Sequence, residues 1–101
     1  MTLVDNLDTI IQDTEKAAEC FQVLANPTRL LIIELLLNEE MSVNDIAAAC
    51  GQSQPNISQH LRLMRDRGIL KSTRDGSLIK YSLKDRRLKD VLQKMKEIFC
   101  K

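Results

Sequence analysis

The chain has 101 residues, of which 44% are hydrophobic and 29% charged, and this composition predicts one folded domain over residues 1–101. Its longest apolar stretch, residues 30–37, is interrupted by Glu34 and is too short to cross a bilayer. The first ten residues carry acidic side chains where a secretion signal requires basic ones. We therefore expect a cytoplasmic protein with no membrane partner.

The net charge of +1 conceals an uneven distribution along the chain. Residues 1–52 hold two basic against nine acidic residues, a net charge of −7, whereas residues 53–101 hold 13 against five, a net charge of +8. A basic half in a nearly neutral protein indicates a polyanionic partner on one face. Ordinary solvated helix faces explain such charges equally well at this point.

Three helices are predicted in the acidic half. Apolar residues at helical spacing predict the first over about residues 5–24. Asn26 is the expected N-cap of the second and Pro27 its first residue, and because this helix is apolar nearly all round we expect it to be the most buried. Ser42 and Asp45 have capping-box spacing and predict the start of the third.

A helix-turn-helix is predicted over residues 43–67. The third helix stops at Gly51, where a left-handed backbone is expected, and a fourth helix begins after the N-cap Ser53 and covers residues 54–67. Two short helices joined by a tight turn that contains glycine are typical of this motif.

The rest of the chain predicts a β-hairpin and a last helix. Residues 69–83 read "ILKSTRDGSLIKYSL", two alternating halves about Asp75-Gly76, which is a strong hairpin signal. Residues 85–101 carry a stripe of apolar side chains at helical spacing. The predicted fold class is therefore mainly α with a small β-hairpin, a winged helix-turn-helix in the order ααααββα, with residues 69–83 as the wing.

The stretch "SQPNISQHL", residues 53–61, favours DNA as the polyanion. Uncharged amide and hydroxyl groups pair with base edges in the major groove, whereas basic groups hold the phosphates without reading sequence. The first turn of the fourth helix is expected to meet the bases, and the wing is expected to lie along neighbouring phosphates. The predicted DNA contacts are Gln52, Ser53, Gln54, Asn56, Ser58, Gln59, His60, Arg62, Arg65, Arg74, Ser77 and Lys80.

Other interpretations compete with DNA binding. A winged-helix module that docks a protein would show exposed aromatic or leucine side chains on the first turn of the fourth helix, which is polar here. An enzyme has little support, because the chain has one histidine and no glycine-rich loop. His60 is interpreted as a packing or phosphate-contacting group rather than a metal ligand, and Arg29 as a structural ion-pair partner.

Three segments together, "LANPTRLLIIELL", "MSVNDIAAACGQSQPNISQHLRLMRDRGIL" and "TRDGSLIKYSL", resemble the ArsR/SmtB family of bacterial winged-helix repressors. The resemblance covers about residues 15–100. It implies a homodimer formed by the first and last helices, within residues 1–25 and 85–101. It also implies binding to an inverted-repeat DNA operator and release of the operator by an inducer.

The sensor sites of that family carry over only in part. One type of metal site in the family uses a Cys-x-Cys on the helix before the reading helix, which is the fourth helix here, and this chain has only Cys50 there. The other type uses Asp, His and Glu on the terminal helices, whereas the only histidine here is His60. The resemblance therefore implies no such metal site and no cofactor. The ending "IFCK" resembles the sulfur- and redox-sensing branch, whose second cysteine position is Glu34 here. Two alternatives stay open. Either Cys20 and Cys100 form a thiol pair that senses an oxidant, reactive sulfur or an arsenite-like soft metal, or all three cysteines are packing residues.

Overall fold

The computed structural model describes residues 6–100 and has five helices and three strands. In chain order they are α1 (Leu7–Leu24), α2 (Pro27–Leu36), β1 (Met41–Ser42), α3 (Val43–Cys50), α4 (Gln54–Asp66), β2 (Leu70–Asp75), β3 (Leu78–Leu83) and α5 (Leu88–Phe99). This order confirms the predicted winged helix-turn-helix. No helix of residues 6–100 is long and apolar enough to cross a membrane.

The predicted helix starts are confirmed by their capping bonds. The side chains of Asn26, Ser42 and Ser53 each accept a hydrogen bond from the backbone N–H three residues on, at 3.1, 3.2 and 3.3 Å. Each bond satisfies an N–H that has no partner within its own helix. Gly51 ends α3 in the left-handed conformation, with φ of 64°.

The core lies between α2, the helix-turn-helix and the base of the hairpin. Ile32 and Ile33 of α2 are fully buried, which confirms α2 as the central helix. Ile57, Leu61 and Met64 are the inner stripe of α4 and are also fully buried. The position of α4 is therefore determined by apolar packing on one side, and its other side is free for polar groups.

The sheet differs from the predicted hairpin in two ways. It has a third strand, β1, which pairs antiparallel with β3, so that the strand order is β1-β3-β2. The hairpin loop is Gly76-Ser77 rather than Asp75-Gly76, since Asp75 pairs with Leu78. A loop centred on Asp75-Gly76 requires positive φ at Asp75, whereas Gly76 alone provides it here, with φ of 65°.

Two further expectations are corrected. The last helix begins at Leu88 rather than at residue 85, because Asp85 and Arg87 form an ion pair at 2.6 Å in the turn before it; hydrogen bonds from Arg87 lower the pKa of Asp85 to about 2. Arg29 forms no ion pair within residues 6–100. Its guanidinium donates instead to the carbonyl oxygens of Gln22 and Val23 in the last turn of α1, and the Gln22 oxygen also accepts the N–H of Ala25 at 3.2 Å.

Candidate nucleic-acid interface

The turn between α3 and α4 is closed by backbone hydrogen bonds. The N–H groups of Gly51 and Gln52 donate to the carbonyl oxygens of Ala48 and Ala47 at 3.3 and 3.1 Å. These bonds satisfy the end of α3 and bring the chain directly to Ser53, the cap of α4. Both helices of the motif are therefore held by local bonds, and α4 begins at a defined point.

The outer face of α4 carries the polar residues predicted to read DNA. At about 100° per residue, Gln59 and Arg62 point away from the buried stripe, and both side chains are exposed. Ser58 is half-buried at the edge of this face. The side-chain amide of Gln59 makes no hydrogen bond to any other residue between 6 and 100, so it is free to meet a partner.

Two amides in the first turn of α4 are already engaged within the protein. The Nε2 of Gln54 donates to Oδ1 of Asn44 on α3. On the other flank, Nδ2 of Asn56 donates to Oε1 of Gln52, whose own Nε2 donates to Oγ1 of Thr28 at 2.8 Å. Gln52 is half-buried and ties the turn to α2, so its geometry is that of a support.

His60 faces the protein rather than the outer side of α4. Its Nδ1 lies 3.5 Å from a terminal nitrogen of Arg29, and its side chain is half-buried. Partial burial, and then the neighbouring Arg29 cation, lower the pKa of His60 because both disfavour the imidazolium. The packing interpretation therefore describes its surroundings better than a phosphate contact does.

The wing separates the two basic residues predicted there. Arg74 pairs with Ile79, and Lys80 pairs with Thr73 on β2 and Ser42 on β1. Because neighbouring residues of a strand point to opposite faces, Arg74 and Lys80 lie on opposite faces of the sheet. The alternation of side chains along a hairpin predicts these opposite faces from the sequence alone, and it disagrees with a DNA contact by both residues.

Ion pairing divides the basic residues into two groups. Arg67 pairs with Glu19 at 3.7 Å, and Lys96 pairs with Glu34 at 2.5 Å, both joining helices on the side of α1 and α5. Arg62, Arg65 and Arg74 are exposed and have no ion-pair partner in the described part of the chain. The positive charge available to a polyanion therefore includes α4 and the outer part of the wing.

The family model for bacterial regulatory proteins of the arsR family matches residues 26–72, from the cap of α2 to the middle of β2. The chain is also 38% identical over 85 residues to the uncharacterized HTH-type transcriptional regulator MJ1325 of Methanocaldococcus jannaschii, covering 83% of this chain and 96% of that protein. The chain belongs to the ArsR family. It is therefore a winged-helix transcriptional regulator and not an enzyme.

Two solved structures have the same fold. NolR from Sinorhizobium fredii is 35% identical with a TM-score of 0.82, over 90% of this chain and 91% of that one. The homodimeric winged helix-turn-helix domain of Mb0332 from Mycobacterium bovis is 26% identical with a TM-score of 0.79, over 90% of this chain and 87% of that one.

The cysteines of this ArsR-family chain lie in three different environments, and all are free thiols. Cys50 is half-buried against the core, and this burial raises its pKa. Cys20 and Cys100 are exposed and line two different grooves beside α1. Within residues 6–100, no cluster of three or more His, Cys, Asp or Glu side chains is placed to hold a metal ion.

Asn44 and Thr28 were not predicted from the sequence. Thr28 lies in the first turn of α2 and Asn44 in the first turn of α3, and the sequence around each one indicates only the start of a helix. Only the packing of three helices brings them to the polar groups at the beginning of α4.

Proposed function

We propose that the protein is a cytoplasmic, homodimeric transcriptional repressor that binds an inverted-repeat operator and releases it in response to an inducer. The observation that carries this proposal is the exposed polar face of α4, flanked by arginines without ion-pair partners. Uncharged groups there suit base edges, and the arginines suit phosphates. Membership of the ArsR family supports the same conclusion.

The distribution of exposed apolar side chains supports the homodimer. Among residues 6–100, eleven large hydrophobic residues are exposed, and nine of them belong to α1, α2 or α5. Phe21, Met95 and Phe99 are exposed by 55%, 42% and 72%. Contiguous apolar patches of this kind are uncommon on monomers and indicate a protein interface. In the homodimeric Mb0332 domain the same fold is paired with a second copy, which is in keeping with this proposal.

The shape of the chain supports the same interface. Its radius of gyration is 16.3 Å, whereas a compact domain of this length has about 13 Å. Only Val23 of α1 and Leu92 of α5 are buried, so the two terminal helices contribute little to the core of one protomer. We therefore assign dimerisation to the parts of residues 1–25 and 85–101 that the structure describes.

Recognition of the base sequence and binding to the phosphates should be separable by mutation. We expect Ser58→Ala to cost about 1–3 kcal/mol of operator affinity and to relax sequence preference, because Ser58 borders the outer face of α4. We expect Arg74→Ala to weaken binding to all sequences alike and to make the negative slope of log K against log salt shallower by about one, because one phosphate contact is lost. The measurement is a titration of specific and random duplexes over a range of salt concentrations.

Lys80→Ala is the matched control for Arg74→Ala, since both remove one positive charge from the wing. Lys80 lies on the opposite face and is half-buried, so we expect its salt slope to stay at the wild-type value. Equal slopes for the two variants would contradict this arrangement of the wing. Absence of any duplex bound above background would reject the proposed function and favour a protein-docking module.

We assign the inducer response to the exposed thiols of Cys20 and Cys100. Cys20 lies on α1 and Cys100 directly follows α5, the two helices assigned to dimerisation, so a modification there is in a position to change the spacing of the two α4 helices in the dimer. A thiol at such an exposed site is open to an oxidant, to reactive sulfur or to a soft metal. Cys50 is excluded from this role, because it is packed against the core and its pKa is raised.

Treatment with oxidant, polysulfide or arsenite is expected to weaken operator binding by about 1–3 kcal/mol, the usual size of coupling between two sites. Cys20→Ser or Cys100→Ser should abolish the response and leave the affinity of the reduced protein unchanged. Cys50→Ser serves as the control that keeps the response. If treated wild type binds as tightly as the reduced form, the repressor has no cysteine-based switch and its inducer acts elsewhere.

A further inference from the structure

We propose that Asn44 and Gln52 are positioning residues that preset the amides of Gln54 and Asn56 to read adenine. Neither Asn44 nor Gln52 needs to touch a base in this arrangement. The inference rests on the proposed DNA-binding function and specifies which base pairs the first turn of α4 selects.

The hydrogen bond between Gln54 and Asn44 decides which atoms of the Gln54 amide remain available. A glutamine side chain has two N–H donors on Nε2 and one carbonyl oxygen, Oε1. One N–H is used by Oδ1 of Asn44, so that one donor and one acceptor are left. In the major groove adenine offers an acceptor at N7 and a donor at N6, which is the complement of that pair.

The opposite orientation of the amide would select a different base. If Gln54 turned its amide by 180°, Oε1 would face Asn44 and both N–H groups would face the groove. Guanine presents two acceptors there, N7 and O6, and would then be the better partner. An amide on an unconstrained side chain rotates about its last bond with little preference, so an acceptor beside it, here Oδ1 of Asn44, favours one orientation over the other.

The same arrangement is repeated at Asn56. One of its two Nδ2 hydrogens goes to Oε1 of Gln52, which leaves one donor and one acceptor. Gln52 in turn is held by its hydrogen bond to Thr28 on α2, away from the outer face of α4. Gln59 is the useful contrast, because its amide has no fixed neighbour within residues 6–100.

Selection from a pool of randomised duplexes, with the full chain at fixed salt, tests this inference. Sequencing gives the base preference at every operator position, and Gln54→Ala identifies the position that Gln54 reads. Wild type is expected to prefer adenine there by about tenfold or more, the usual discrimination of a paired contact. In Asn44→Ala that preference is expected to fall below about threefold, with other positions unchanged.

Asn44→Asp provides the rescue. Its carboxylate keeps an acceptor beside Gln54, so the adenine preference should be retained, whereas the added negative charge should weaken binding to all duplexes. A merely structural role of Asn44 would not produce a loss confined to one base position and restored by aspartate. Gln52→Ala should have the corresponding effect at the position that Asn56 reads.

The outcomes separate this inference from the proposed function. If wild type enriches no duplex, both fail. If wild type enriches an operator but prefers guanine at the Gln54 position, or if Asn44→Ala keeps the full adenine preference, only the inference is overturned. Loss of the preference in Asn44→Asp to the same extent as in Asn44→Ala would overturn it as well.

Discussion

Leu61→Ala is expected to lower the free energy of unfolding by about 2–5 kcal/mol. Leu61 is fully buried in the middle of the inner stripe of α4. Truncation removes apolar contacts and leaves a cavity that the surrounding helices fill only in part. For a domain of this size the melting temperature should fall by about 4–8 °C for each kcal/mol lost.

Leu78→Ala is the matched control, because it makes the same chemical change at a side chain that is 44% exposed on the wing. We expect a loss well below that of Leu61→Ala, measured by thermal unfolding at the same protein concentration. Equal losses in the two variants would mean that burial on α4 does not determine stability. A folded Leu61→Ala protein with weak DNA binding would further show that the core positions the reading helix.

Met95→Glu is expected to convert the homodimer to monomers and to lower operator affinity by about 100-fold or more. Met95 lies on the exposed apolar stripe of α5 and lines a groove of about 470 Å³ with Phe21 and Leu31. A carboxylate buried there by a second copy would face mainly apolar side chains, since Lys96, the cation that also lines the groove, is already paired with Glu34, and burying an unpaired charge is costly. Without the dimer, each half-site is bound independently and the gain from linkage is lost.

Gln93→Glu introduces the same charge on the outer side of α5, away from this stripe, and should leave the dimer intact. Sedimentation gives the oligomeric state and titration of an operator with two half-sites gives the affinity. For a duplex with a single half-site, wild type and Met95→Glu should have similar affinities. A wild-type protein that sediments as a monomer at micromolar concentration would overturn the proposed interface, and so would a dimeric Met95→Glu variant.

Short-range signals in the sequence determined the helix starts and the inner face of α4. Asn26, Ser42 and Ser53 each cap a helix through a bond to an N–H only three residues away, so the pattern and the bond lie in the same short segment. Ile57, Leu61 and Met64 are buried as their spacing predicts, because one turn of helix relates them directly. From these two features the helix-turn-helix and its polar outer face were predictable.

Only the tertiary structure decided the remaining features, since each depends on groups far apart in the chain. The two residues of β1 have no strand pattern of their own and are ordered by pairing with Tyr81 and Lys80. Arg29 was predicted to form an ion pair with a carboxylate, but the fold brings it to main-chain carbonyl oxygens, which no residue pattern reveals.

The support of the reading helix belongs to the same class. Asn44 meets Gln54 across the turn of the motif, and Thr28 meets Gln52 from a separate helix. The sequence by itself determined which side chains face outward from α4. The packing of α2, α3 and α4 decided how their amides are oriented, because hydrogen-bond partners that lie on different helices meet only after those helices have packed.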